Sequence, residues 1–192
     1  MSINLFEEVN KMMGTPISKK ESPVEKQKNE YEKTLEGAAL PAALAGIYHL
    51  ATSEAGAQQI IYHLLNHAGE MDKSDSDISV VITFGNKAEA VITKISAYSG
   101  ANRLDAYGSL NEAARNAYQV MLREIGKDTL SKEEVTRFMV AQRHTILSHL
   151  PEVLQLGHLL GDETIDDVSN KMNGPISNLM HSLGESFSGS PK

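Results

Sequence analysis

Apolar residues recur every three or four positions along most of this chain, and this spacing is the feature that most restricts its fold. A period near 3.6 residues places apolar side chains on one face of an α-helix, whereas a strand needs strict alternation. The predicted helical segments are 3–13, 40–49, 55–68, 86–99, 112–125 and a last one from 132 to 151. We therefore predict an all-α fold, a compact multi-helix bundle.

One segment has the composition of a strand. The run Ile78–Phe84 contains Val80, Val81 and Ile82 in sequence, and β-branched residues favour strands. A single strand would have no partner with which to form a sheet, however. We therefore predict that this segment is also a helix.

The sequence marks several helix ends. Two capping boxes, in which a Ser hydroxyl accepts a backbone hydrogen bond and a Glu three residues later reaches back, predict helix starts at Ser109 and Ser131. Pro41 fits the first turn of the helix over 40–49, because the first turn needs no N–H from that position. Glycine tolerates the left-handed conformation that ends many helices, which predicts ends at Gly100 and Gly126.

The composition divides the chain into four parts. Residues 1–17 form an amphipathic N-terminal segment, 18–36 a charged linker, 37–161 the helical domain, and 162–192 a Gly-, Ser- and Asn-rich segment. The linker either stays irregular throughout or joins the next helix from about Lys26. We expect the last segment to be weakly structured, since it has few large apolar residues.

Composition also excludes several classes of function. The chain has 192 residues and no cysteine, which excludes disulfides, thiolate metal sites and a cysteine nucleophile. Its 18 Lys and Arg residues are outnumbered by 25 Asp and Glu residues, so we expect no nucleic-acid partner. The sequence lacks an apolar run long enough to span a membrane, so we expect no membrane insertion. Its first residues do not have the pattern of a secretory signal, so we expect a cytoplasmic protein.

Chemical motifs are few. His63 and His67 lie one helical turn apart, as zinc ligands do in metalloproteases, but the catalytic Glu of that motif is replaced by Leu64. A pair of surface histidines is the simpler interpretation. Four carboxylates could serve as acid and base only if a cleft brought them together: Glu124, Asp128, Glu133 and Glu134. We expect no enzyme activity, no cofactor and no metal.

Several short pieces between residues 38 and 161 occur in an order that suggests a family. They are Ala39–Gly46, Thr52–Ala57, Phe84-Gly85, Ile95 with Ser99-Gly100, Leu130–Gln142 and Ile146–Leu154. In these pieces the chain resembles the YidB-like family, a bacterial domain of unknown function (domain-of-unknown-function family 937). The resemblance implies a helical domain with no assigned activity or cofactor. Residues 18–36, the C-terminal segment and the helix with His63 and His67 depart from the family pattern.

The terminal segments suggest a function. An apolar face in residues 3–13 must fold back onto the domain or find another subunit, because exposing it to water is unfavourable. Asn10 to Ser18 is nearly repeated at Asn170 to Ser177, which is either a coincidence of two helix ends or a sign that both termini dock on equivalent surfaces. The candidate self-association residues are Leu5, Phe6, Val9, Met12, Met13, Met172 and Ile176.

Two functions follow from these observations. We predict a non-enzymatic structural or interaction protein that self-associates or scaffolds as a homo-oligomer, with a further protein partner possible. The alternative is a small-ligand or metal-binding helical module built around His49, His63 and His67, where small residues leave room between helices.

Overall fold

The computed structural model describes residues 3–14, 34–67 and 78–166, and these stretches contain helices and no strand. The α-helices are α1 Leu5–Met12, α2 Leu35–Ala51, α3 Glu54–His67, α4 Ile78–Phe84, α5 Ala88–Ser99, α6 Arg103–Ile125, α7 Lys132–His149 and α8 Leu156–Leu160. Short 3-10 turns cover Gly85–Lys87, Lys127–Thr129, Glu152–Leu154 and Glu163–Ile165. The predicted all-α fold is confirmed, including the helix over Ile78–Phe84.

Helix α2 forms the centre of the bundle. Its side chains are apolar and mostly small on every side, and residues 37–48 are all buried. A helix that is apolar all round is stable only when it is surrounded, and every other α-helix of the described stretches packs against α2. None of the helices in these stretches has the length and apolarity needed to cross a membrane.

The start of α2 differs from the sequence prediction. The Thr34 hydroxyl accepts a hydrogen bond from Gly37 N at 3.0 Å, so the helix begins at Leu35. The predicted start at Leu40 is therefore too late, and the helix takes in the last two residues of the charged segment 18–36. Pro41 lies inside the helix, where it removes one backbone hydrogen bond. Burial of α2 on all sides offsets the loss of this hydrogen bond. Helix propensity alone does not predict a helix that continues through Pro41.

Helix α6 is also longer than predicted. Its cap is Asn102, whose side chain accepts a hydrogen bond from Asp105 N at 2.9 Å, and Ser109 lies inside the helix. The helix start predicted at Ser109 is therefore wrong. The one at Ser131 is confirmed, because its hydroxyl accepts a hydrogen bond from Glu134 N at 3.2 Å. Gly100 and Gly126 end their helices with positive φ values of 72° and 79°, as predicted.

The chain from Leu150 to Asp166 folds back onto the bundle. The Asp166 carboxylate accepts hydrogen bonds from Gly157 N at 2.8 Å and His158 N at 2.7 Å, and Ile165 is buried. The expectation of weak structure from residue 162 onward is therefore wrong for 162–166. Residues 167–192 lie outside the described part of the chain.

Candidate self-association site

Helix α1 occupies a groove formed by α2, α6 and α7 of the same chain. Leu5, Phe6 and Val9 are buried in the core of the domain, and Ile3 and Met13 pack partly buried against it. The folded-back alternative for the N-terminal apolar face is therefore the arrangement that this structure has. Five of the seven predicted self-association residues lie on α1 and its flanks, while Met172 and Ile176 lie outside the described residues.

The groove binds the beginning of α1 through one side chain of α7. Gln142 Oε1 accepts a hydrogen bond from Leu5 N at 3.0 Å, and Gln142 Nε2 donates one to Ile3 O at 2.9 Å. The amide thus uses its donor and its acceptor on backbone groups either side of Asn4, which is extended and caps α1 through Glu7 N. Gln142 is buried, so these hydrogen bonds satisfy groups that water does not reach.

An aromatic contact holds the next residue. The Phe6 ring stacks on the His149 ring with centroids 4.1 Å apart and an angle of 22° between planes. His149 Nδ1 lies 2.8 Å from Thr145 O, which fixes the orientation of the imidazole at the end of α7. Stacking of this kind contributes specific geometry in addition to apolar burial.

Charged residues line the outer side of α1. Glu8 Oε1 accepts a hydrogen bond from Lys11 Nζ at 2.7 Å, and Glu8 Oε2 accepts one from Arg123 Nη2 on α6 at 3.3 Å. Lys11, and to a smaller extent Arg123, lower the pKa of Glu8 below its ordinary value. These exposed pairs orient α1 in its groove, although surface ion pairs add little stability.

The described residues of the N-terminal copy of the repeat, 10–14, divide between the two sides of α1, and the C-terminal copy lies outside the described residues. Asn10 is buried, whereas Lys11 and Met12 are exposed, with 42% of Met12 accessible. Met12 therefore contributes little to the groove in this arrangement. The three buried apolar residues that dock, Leu5, Phe6 and Val9, precede the repeated stretch, which contributes only the buried Asn10 and the partly buried Met13.

The structure describes the side chains of two of the three histidines in the alternative hypothesis, His49 and His63. His63 is buried and meets the Tyr118 ring edge-on at 4.9 Å, so its interpretation as a surface histidine is wrong. The side chain of His67 lies outside the described part. Nδ1 of His49 lies 3.4 Å from Asp162 Oδ2. In the described stretches no group of three or more His, Asp and Glu side chains is placed to hold a metal ion.

The Asp162 carboxyl is held ionised. Partial burial opposes the charge, but hydrogen bonds from Thr164 and His49 outweigh it and lower the pKa of Asp162 below its ordinary value. Thr164 donates from both its backbone N at 3.2 Å and its hydroxyl at 2.7 Å. The contact of Asp162 with His49 joins this C-terminal turn to α2.

Two of the candidate catalytic carboxylates share a shallow groove. It has a volume of about 670 Å³ between the end of α6 and the start of α7, and Glu124, Glu134 and Arg137 are among its lining residues. Glu134 pairs with Arg137, and Glu124 accepts a hydrogen bond from Arg123 Nε at 2.9 Å. Asp128 and Glu133 do not line this groove. The four carboxylates are therefore not gathered at one place.

Sequence reasoning identified the apolar face of α1 but not its polar anchor. The sequence indicates only that Gln142 falls at helical spacing with the apolar residues of α7. A Gln within an apolar stripe was the available signal, because a buried amide needs partners. Comparison with known protein families, curated proteins and solved structures finds no match for this chain. The resemblance to the YidB-like family stays a prediction.

Proposed function

We propose that this chain is a non-enzymatic interaction protein that self-associates by placing α1 of one copy in the α2–α6–α7 groove of another. The observation that carries the proposal is the anchoring of α1 by Gln142. A buried amide that binds Ile3 O and Leu5 N recognises the start of a helix through its backbone. Such a contact is available to α1 from any copy of the chain.

The connection between α1 and the domain supports exchange between copies. Residues 15–33 join Gly14 to Thr34, and 19 residues reach as far as about 60 Å when extended. Exchange of an identical element leaves every groove contact in place, so it costs little beyond association entropy. The balance between docking within one chain and docking between chains then depends on concentration.

Burial explains why α1 and its groove do not stay apart. Burying a Leu, Phe or Val side chain contributes about 1.5–3 kcal/mol each. Leu5, Phe6 and Val9 are at most 2% exposed in the groove, so an α1 that leaves its own groove has a strong tendency to enter another. The same apolar surface therefore serves folding and association.

Light scattering across a concentration series tests the proposal, with the full chain compared with a chain that lacks residues 1–16. We expect the mass of the full chain to rise with concentration to a dimer or larger species, and the truncated chain to remain monomeric. A full chain that stays monomeric at the highest attainable concentration contradicts the proposal.

A second measurement shows whether the truncated chain still has a folded groove. A synthetic peptide of residues 1–16 should bind the truncated chain and raise its melting temperature, because a ligand that binds only the native state stabilises it. A peptide with Leu5 and Phe6 replaced by Ser is the matched control and should have no effect. Equal effects of the two peptides contradict groove binding.

A further inference from the structure

Helix α4 has a sequence that favours a different secondary structure. Five of its seven residues are β-branched, and it has no charge, proline or glycine. Short uncharged segments with high β-propensity are typical of strands that pair with identical copies. The observed helix therefore contradicts the local preference of its own sequence.

Contacts with α6 hold α4 in the helical state. Val80 is the third residue of α4, where a backbone N–H has no acceptor within its own helix, and Asn111 Oδ1 accepts its hydrogen bond at 3.3 Å. Thr83 Oγ1 donates to Ser79 O at 2.7 Å and lies 2.9 Å from Tyr118 Oη. Val80 and Thr83 are buried, so these polar contacts are made away from water.

A close fit with α2 holds the other end of α4. Gly46 faces the Phe84 ring, and a Cβ added at Gly46 would overlap that ring. Phe84 is 4% exposed, so the absence of a side chain at Gly46 makes room for it. The helical state of α4 thus depends on its partners in α2 and α6.

We infer that α4 is a latent β-strand, which pairs with α4 of a second copy when it separates from α2 and α6. The described residues contain no strand of the same chain with which it could pair. An identical uncharged segment meets it without electrostatic repulsion, and its extended backbone offers a complete row of donors and acceptors. This assembly uses residues that the exchange of α1 does not use.

The test combines a substitution that releases α4 with one that blocks strand pairing. Asn111→Leu leaves Val80 N without its acceptor and should increase the open population about tenfold. We expect thioflavin-positive, β-rich assemblies, detected by infrared spectroscopy, to form correspondingly sooner than in the unchanged chain. Gly46→Ala, which displaces Phe84, should act in the same direction.

Val81 provides the blocking position. It is 57% exposed, so Val81→Lys should leave the folded domain intact while it places a charge in every copy of the stacked strand. The matched control is Val140→Lys, since Val140 is 50% exposed on α7. In the Asn111→Leu chain, we expect Val81→Lys to abolish β-rich assembly and Val140→Lys to leave it unchanged.

Equal assembly of the two lysine variants, or aggregates without a β-sheet signature, would overturn the inference. Should Asn111→Leu fail to fold, the same lysine pair is compared in the otherwise unchanged chain under mild urea, where α4 opens transiently. Exchange of α1 gives helical oligomers that Val81→Lys does not affect. The two forms of association are therefore distinguished by their secondary structure.

Discussion

The side-chain amide of Gln142 accepts a hydrogen bond from the backbone N–H of Leu5, 137 residues earlier in the chain. Leu5 is the first residue of α1, and its N–H has no acceptor within that helix. A residue of α7 therefore completes the start of α1. This relationship joins the N-terminal segment to the domain and makes its docking specific in register.

Replacing Gln142 should loosen α1. In Gln142→Leu, Leu5 N and Ile3 O lose their buried partners, which should lower the free energy of unfolding by about 1–3 kcal/mol. Urea unfolding measures this change, and hydrogen exchange should show faster exchange in residues 5–9. Gln59→Leu, at an exposed position of α3, is the control and should change stability by less than about 0.5 kcal/mol. Equal effects of the two variants would refute the role of Gln142.

Replacing glycine by alanine should have opposite effects on stability at Gly46 and at Gly108. A Cβ at Gly46 meets the Phe84 ring, so Gly46→Ala should destabilise the domain by about 1–3 kcal/mol through overpacking. Gly108 lies within α6, and a Cβ added there would have no neighbouring atom within 4 Å, so Gly108→Ala should stabilise by up to about 1 kcal/mol. Thermal melting of both variants checks the signs, and stabilisation by Gly46→Ala would contradict the close fit.

Much of the fold could be predicted because its signals are local. Ser131, Gly100 and Gly126 act within one helical turn, and each ends or begins a helix as predicted. Ser109 and Pro41 gave wrong boundaries for a different reason. Ser109 lies within α6, which packs against α2, and Pro41 lies within α2 itself. Burial of a helix in a bundle outweighs the local preference of a single residue.

The candidate site was predictable only in part, for a similar reason. The apolar spacing of Leu5, Phe6 and Val9 is visible in the sequence, and so the docking face of α1 was identified. The groove consists of residues from three distant helices, and neither Gln142 nor His149 has a local pattern that links it to α1. Likewise, no spacing rule shows that His63 lies against Tyr118 in the core.

Tyr118 should make the domain sensitive to alkaline pH. Burial raises the pKa of the Tyr118 phenol above its ordinary value of 10.0, although its hydrogen bond with Thr83 opposes the shift. The unfolded chain therefore releases this proton at lower pH than the folded one, so the contribution is complete below about pH 10 and is lost as pH rises further. Compared with Tyr118→Phe, the unchanged chain should lose about 1 kcal/mol more stability by pH 11. Urea unfolding at a series of pH values measures the free energy of unfolding of both chains. If it falls equally with pH in the unchanged chain and in Tyr118→Phe, the contribution of Tyr118 is excluded.

The length of the connecting segment should control association. Deleting residues 17–31 leaves four residues between Gly14 and Thr34, and these five Cα–Cα steps span at most about 18 Å. Docking of α1 within its own chain should then be disfavoured, and the dimer fraction measured by light scattering should rise. Replacing residues 17–31 by a Gly/Ser sequence of equal length is the control and should leave the mass unchanged. An unchanged mass after the deletion would count against exchange.

The central claim, that α1 of one copy enters the groove of another, is tested most directly by crosslinking. The chain has no cysteine, so Glu8→Cys in one preparation and Arg123→Cys in a second create unique thiols at an exposed contact of α1 with α6. Leu104→Cys, 78% exposed at the other end of α6, replaces Arg123→Cys in the control mixture. With a short bis-maleimide, we predict more mixed covalent dimer from Glu8→Cys with Arg123→Cys than from the control mixture. A chain that carries both Glu8→Cys and Arg123→Cys measures crosslinking within one copy. Crosslinking within that chain, together with equal yields of mixed dimer from the two mixtures, would contradict the account.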